Sequence, residues 1–367
     1  MKLSINEKLS EHGTSLSVEF GTRTIDIQVE KYQLNINNYD FAVWLVLLCA
    51  MREKVDIEID FPVSKELIYN TRLMQNYLHH YLKWPYINIY CQTHRKKKPT
   101  TSIKRILPFS GGVDSCFSLL YNTFELKRSI HSVFMAEGFE LLRGHEYQWI
   151  YENCKKIVNP IGANIIKLNT NFKARCAMPG KWKLHSDFLL AALLHLFDED
   201  FEVGFISGGG DGGDLSIEAC FKTPFLNERL FFLFSNSDML IDKFEGADHT
   251  RVQKIEYLAR FSDVKRYLRV CWEGRKHFNC GKCRKCVMTQ LSFWAATGTI
   301  PSCFPVQADE IAVRSVLSLI SSSRGVDPDS PNIILPKQLR EILMLADKND
   351  IHHKYFELID SFLKKSI

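Results

Sequence analysis

The sequence contains no long hydrophobic run: nothing in its 367 residues approaches the roughly 18 apolar positions that would suggest a membrane span. Its opening residues do not follow the basic-then-apolar order of a secretory signal. No Gly-Lys-Ser or Gly-Lys-Thr follows any of its glycine clusters, so the Walker route to hydrolysis of a terminal phosphate is not expected. Charge of a single sign is scarce as well. The formal net charge is +5, which permits an acidic ligand without demanding nucleic acid. These absences lead us to expect a cytoplasmic protein with no membrane partner.

Cysteine, by contrast, is plentiful: the chain has 11. Cys49, Cys91, Cys116, Cys154, Cys176, Cys220 and Cys303 are scattered singly, whereas Cys271, Cys280, Cys283 and Cys286 are grouped. Without a secretory signal a disulfide framework is not expected, and the group reads as a metal site in a reducing compartment. Four soft thiolates suit tetrahedral Zn2+. An iron–sulfur cluster is the competing reading, because thiolates alone do not choose the metal. Lys282, Arg284 and Lys285 lie between the ligands and would offset the charge of a tetrathiolate site. A closed site of this kind leaves no open position for chemistry, so its expected role is to pin an irregular segment in place.

The rest of the chain is organised around Ser110-Gly111-Gly112-Val113-Asp114-Ser115. This stretch follows an apolar run at 106–109 and precedes a helical pattern at 116–124. With no Cβ at Gly111 and Gly112, the backbone can turn sharply and bring its N–H groups close to a ligand. The helix start behind it offers unpaired N–H groups and the positive end of a dipole, which favour phosphate. Ser110 and Ser115 add hydroxyl donors. All six residues are therefore candidate phosphate-binding residues.

The length allows two domains, or one with extensions. Residues 1–100 read as an N-terminal α+β unit. Alternating strands are predicted over 15–20 and 23–29, a helix over 39–53, a strand over 55–59, a second helix over 65–82 and a closing strand over 87–91. No catalytic motif falls there, so dimerisation, substrate gating or docking of a partner are its expected roles. The basic run at 94–98 is short and free of interleaved aromatics; it reads as an exposed linker rather than a nucleic-acid contact. Residues 101–305 alternate strands (106–109, 132–136, 164–168, 203–206) with helices (116–124, 145–158, 184–197). Such alternation predicts an α/β fold, a parallel sheet with helices on both faces, whose ligands bind beyond the carboxyl ends of the strands. Residues 306–367 read as a helical extension with amphipathic helices over 308–320, 337–346 and 351–363. It is expected to pack against the N-terminal unit or a second subunit.

Further candidates lie near these strand tips. Asp211 and Asp214, in the glycine-rich stretch 207–214, are candidate Mg2+ ligands beside phosphate; the competing reading is a flexible lid with aspartates as turn formers. Lys181 and Lys183 follow Pro179-Gly180 at the entrance to a long apolar helix, where they could meet phosphate or a substrate carboxylate. Thr250 with Gln253 forms a capping-box pattern. Arg251 then falls in a first turn, where a cation opposes the helix dipole; it reads either as placed for an anionic partner or as an ordinary surface residue.

The hexapeptide resembles the Ser-Gly-Gly-x-Asp-Ser signature of the PP-loop ATP pyrophosphatases. Together with Cys-x8-Cys-x2-Cys-x2-Cys it is similar to the 7-cyano-7-deazaguanine synthases, over about residues 104–303. The resemblance implies a fold of the adenine-nucleotide alpha-hydrolase type and cleavage of ATP between its α- and β-phosphates, with Mg2+ and Zn2+ as metals. It implies that a small-molecule acid becomes an adenylate, from which an amine or ammonia displaces AMP to give an amide or, after a second activation, a nitrile. Ser110, Asp114 and Ser115 would then be catalytic, and Lys181 would orient the acid. Pro179-Gly180 matches that family's Pro-Gly-Arg-Asn segment, but Lys181-Trp182 stands in place of Arg-Asn. The family's Tyr-Pro-Asp-Cys-Arg stretch has no counterpart; residues 218–222 lie near where it would fall. Relatives with comparable added segments occur in bacterial antiviral defence clusters. That implies a protein amine as a possible acceptor; independently of the resemblance, the N-terminal unit is expected to dock a defence-system partner or to dimerise, making a homo-oligomer. Two alternatives are an RNA thiolation enzyme with Cys176 or Cys220 as sulfur carrier, and a nucleotide-binding scaffold without catalysis.

Overall fold

The computed structural model describes residues 1–93, 102–139, 145–177, 182–208, 228–243, 249–271, 279–321 and 331–366. Five strands come from the N-terminal part: β1 (Lys2–Ser10), β2 (Gly13–Phe20), β3 (Arg23–Glu30), β4 (Ile57–Val63) and β5 (Ile89–Thr93). Five follow: β6 (Arg105–Pro108), β7 (Ser132–Glu137), β8 (Asn164–Thr170), β9 (Val203–Phe205) and β10 (Leu240–Asp242). All ten form one sheet in the order β10-β9-β6-β7-β8-β3-β2-β1-β4-β5. Pairing is parallel from β10 to β8, antiparallel from β8 through β3 and β2 to β1, and parallel again to β5. The coarse α/β expectation therefore holds.

The N-terminal strands do not form a sheet of their own. β3 runs antiparallel to β8, with Ile27 opposite Thr170 and Glu30 opposite Lys167, and one hydrogen-bonded ladder crosses the expected boundary near residue 100. β1 escaped the sequence reading because its side chains beyond Ile5 all face solvent and the apolar alternation of Leu3 and Ile5 is broken at Glu7.

Helices cover both faces. The first six are α1 (Asp40–Glu53), α2 (Lys65–Leu82), α3 (Val113–Phe124), α4 (His145–Val158), α5 (Phe172–Cys176) and α6 (Trp182–His195). Side-chain alternation along the strands separates two cores. Ile106 and Phe134 join α1 and α6 on one face; their neighbours Leu107, Val133 and Met135 join α3 and α4 on the other. α1 is apolar on every side and buried from Asp40 to Met51, as expected of a helix without a polar face. Trp44 meets Phe188 and Phe234 edge-on at 5.9 and 4.8 Å. That contact welds the N-terminal part onto α6.

After β10 come α7 (Arg251–Leu258), α8 (Ser262–Tyr267) and α9 (Arg284–Thr297). Three helices close the chain: α10 (Glu310–Ser321), α11 (Pro331–Lys348) and α12 (Lys354–Ser366). Among the described residues they bury their apolar faces against α7 and α9 in a third core, which includes no residue of the N-terminal strands. No helix among the described residues is long and apolar enough to cross a membrane.

Strand order places the site. From β6 the chain winds outward through β7 to β8, then returns to lay β9 and β10 on the opposite side of β6. Connections therefore diverge at the carboxyl end of β6, which is where open α/β sheets leave a crevice.

Candidate phosphate site and four-cysteine centre

The chain leaves β6 through Phe109 and Ser110 and turns at Gly111, whose φ is +70°. A Cβ there would lie 2.7 Å from Cys154 Sγ, so glycine is needed for both conformation and space. Gly112 then caps α3 in an extended conformation. Ser115 Oγ donates to Gly112 O at 3.2 Å and lies 3.3 Å from Ser110 Oγ. The two hydroxyls thus face each other over the first turn of α3, where helix N–H groups have no intrahelical acceptor.

Asp114 stands in that turn. Arg251 Nη1 is 3.0 Å from Oδ2, and Lys254 Nζ is 3.2 Å from Oδ1. Burial alone would raise this carboxyl, but the charges of Arg251, Lys254 and Lys285 outweigh it and hold Asp114 below the usual carboxylate value. Lys254 is only 1% exposed and also donates to Gly208 O at 2.7 Å. One ammonium group therefore ties the loop after β6 to the loop after β9. The capping box at Thr250 and Gln253 is formed, and it starts α7 at the register that aims both cations at Asp114.

Two cavities share Ser110, Asp114 and Ser115 as lining. The first, of 210 Å³, is walled by Phe109, Phe134, Phe139, Leu190 and Ile206, with Ser207 at its edge. Ser207 Oγ is buried and has no hydrogen-bond partner among the described residues, a costly state for a hydroxyl. The second, of 110 Å³, is bounded by Gly112, Arg251, Arg269 and Lys285. One cavity is thus mostly apolar, the other basic, and the hexapeptide divides them.

Arg269 and Lys285 come from the cysteine centre. The sulfurs of Cys271, Cys280, Cys283 and Cys286 all lie within 4.8 Å of one another. Cys271 to Cys283 and Cys280 to Cys286 are each 3.9 Å. A tetrahedron with metal–sulfur bonds of about 2.3 Å has edges of about 3.8 Å, so the four residues fit a metal ion such as zinc. Cys283 N-caps α9. Hydrogen bonding from the Cys286 thiol, with the Cys286 backbone N–H, lowers the Cys283 thiol to about 5. Gly281 makes the tight turn, with φ +76° and Val306 O where a Cβ would stand. Gln290 bridges this turn to the entrance of α10, donating to Gly281 O and accepting from Ala308 N.

Compared with protein-family models, curated proteins and solved structures, the chain matches none.

The structure brings Ser110 to Ser115 and the four cysteines into one neighbourhood, with Arg251, Lys254, Arg269 and Lys285 between them. Lys181, Asp211, Asp214 and Cys220 lie outside the described residues. Cys176, the last residue of α5, is buried against α1, where Cys49 Sγ reaches its carbonyl at 3.9 Å, and it lines neither cavity. Lys254 and Arg269 escaped the sequence reading. A signal for Lys254 existed: it follows Arg251 by three positions on a helix, which puts both on one face. Arg269 carried none, since it sits in an irregular segment. Lys285, read as a charge-balancing residue, in fact reaches the basic cavity.

Proposed function

We propose that the chain is an ATP-dependent, adenylate-forming enzyme of the PP-loop type, converting ATP to AMP and pyrophosphate while activating a carboxylate for C–N bond formation. The observation that carries this reading is the pair of cavities meeting at the hexapeptide: an apolar chamber sized for a ring system beside a basic one suited to phosphate. A carboxylate oxygen would attack the α-phosphorus as the bridging bond to the β-phosphate breaks. Pyrophosphate would then leave toward Arg251, Arg269 and Lys285, where fixed cations and helix N–H groups stabilise the growing charge without reorganising. Ser207, orphaned at the edge of the apolar chamber, gives a bound molecule a hydroxyl partner.

Asp114 already holds two cations, so its role is to orient Arg251 and Lys254 rather than to bind metal. Mg2+ would be held by phosphate oxygens with Asp211 and Asp214 as candidate ligands. Zn2+ in the cysteine centre would be structural. A 7-deazaguanine-type acid is the first substrate to try, with ammonia or a protein amine as acceptor, in keeping with the resemblance to 7-cyano-7-deazaguanine synthases and their defence-associated relatives. RNA thiolation is less well supported. Of the two carriers it would use, Cys176 lines neither cavity and Cys220 lies outside the described residues; Cys154, beside the hexapeptide, is fully buried, and burial pushes its thiol up to about 12, far from the thiolate that sulfur transfer needs.

Incubation of the full chain with Mg-ATP, ammonium and 7-carboxy-7-deazaguanine tests the proposal. Equimolar AMP and pyrophosphate should appear, with a product in which the acid hydroxyl is replaced by an amino group. Replacing both Arg251 and Lys285 by alanine should lower AMP release by about 100-fold or more. Tight ATP binding without AMP release, across a panel of acids, would instead make the chain a nucleotide-binding scaffold.

A further inference from the structure

Asn279 precedes Cys280 and is completely buried. Its side chain is saturated. Oδ1 accepts from Val270 N at 2.9 Å and Cys271 N at 3.2 Å, and Nδ2 donates to Leu268 O and Cys303 O, each at 2.9 Å. Two donors and two acceptor sites are all an asparagine has, and here every one is spent on backbone. Three of the four bonds grip the segment 268–271, which belongs to no helix or strand and has no ladder of its own to hold it.

That segment is also the wall of the basic cavity. Arg269 N donates to Gly111 O at 2.8 Å. Arg269 O lies 3.5 Å from where a Cβ on Gly112 would stand. Arg269 and Val270 line the cavity, and Lys285, between two of the cysteines, lines it from the other side. The basic cavity is thus framed by residues within two positions of metal-ligating cysteines, and its backbone contact with the glycine turn runs through a strap that Asn279 holds.

We propose that Asn279 is the positioning residue that couples the four-cysteine centre to the anion cavity, so that metal on the cysteines tightens the binding of pyrophosphate. The inference deepens the proposed function and rests on it for the identity of the anion. The cysteines fix Cys271 and the loop at 280–286, Asn279 locks 268–270 onto that frame, and Arg269 holds Gly111 in its left-handed turn. Coupling of this kind is reciprocal: pyrophosphate must raise the affinity for zinc by the same factor that zinc raises the affinity for pyrophosphate. Partners just outside a metal's ligands commonly change metal affinity or activity by about 10- to 100-fold when removed.

The test uses the full, zinc-loaded chain. Zinc affinity is measured by equilibrium competition with a chromogenic chelator, with and without saturating pyrophosphate and with free zinc corrected for the zinc–pyrophosphate complex, and pyrophosphate affinity by calorimetry. Pyrophosphate should tighten zinc about 10-fold or more. Asn279→Ala should weaken pyrophosphate by a similar factor and abolish most of the linkage, while Asn279→Asp, which keeps the acceptors but loses both donors, should recover only part. Hydrogen exchange at 109–116 should quicken in Asn279→Ala while β1 to β3 stay protected. Pyrophosphate that binds without changing zinc affinity overturns the coupling, and the wild-type chain alone decides this if the variants do not fold. A loaded protein that ignores pyrophosphate sinks the pyrophosphatase reading instead. In that case unchanged exchange at 109–116 in Asn279→Ala overturns the coupling, and quickened exchange upholds it.

Discussion

Two aspartates begin two helices of this sheet and do opposite things. Asp40, in the first turn of α1, is 1% exposed and surrounded by neutral donors. Ser64 gives it both its N–H (2.8 Å) and its hydroxyl (2.5 Å), and Asn236 gives its amide at 2.8 Å. The network continues inward from Asn236 to His195, and Asn38 holds Asp198 beside it at 3.0 Å. Asp114, in the first turn of α3, is partnered by two cations instead, and its side chain keeps 30% exposure toward the cavities. One network closes on itself and joins the N-terminal strands to the rest; the other leaves charge facing open space. A closed network reads as architecture, an open one as a place for a ligand.

Stability should break the first network most. Asp40→Ala strands the Ser64 and Asn236 donors in a buried site, and about 3 kcal/mol of unfolding free energy should be lost. AMP release per folded molecule should not change. Urea unfolding measures the loss, and a cost below about 1 kcal/mol would mean the network is not closed. Activity should break the second. Asp114→Asn keeps the shape but frees Arg251 and Lys254, and turnover should fall about 100-fold, equivalent to about 2.7 kcal/mol. Because Lys254 is buried, losing its carboxylate partner should lower the thermal midpoint as well, so turnover is counted per folded molecule; unchanged turnover on that basis would place Asp114 with Asp40 as a structural group.

A smaller effect separates His185 from both networks. It is fully buried, its ring nitrogens have no hydrogen-bond partner among the described residues, and burial, aided by the nearby Arg52 charge, lowers it from 6.5 to about 4. The unfolded chain therefore binds a proton between pH 6.5 and 4 that the folded chain refuses. Stability rises with pH through that window. At pH 5 this should cost about 2 kcal/mol relative to neutral pH, and His185→Leu should remove that part of the acid slope in unfolding scans. An unchanged slope would mean that His185 finds a partner in solution.

Much of the architecture was legible in the chain. The all-apolar α1, the amphipathic α2 and the strands β2, β3, β7 and β8 follow periodicity, because burial on one face or on all faces leaves its mark on neighbouring residues. β1, facing solvent over most of its length, and the three-residue β10 left no such mark. The unity of the sheet was illegible for another reason. Strand 23–30 reads equally well as the edge of a small domain or as a partner for β8, and only the antiparallel register with 167–170 distinguishes them.

The glycine turn, the capping box and the spacing of the four cysteines follow from the order of residues alone, because each acts within a few positions through backbone conformation or thiolate chemistry. Which cations serve the site is a property of the folded chain. Asp114 meets Arg251 across 137 residues and Lys254 across 140, and Gly111 meets Arg269 through a strap held by a buried asparagine. Pairings at such separations depend on packing and register, which bring together side chains that no local pattern connects.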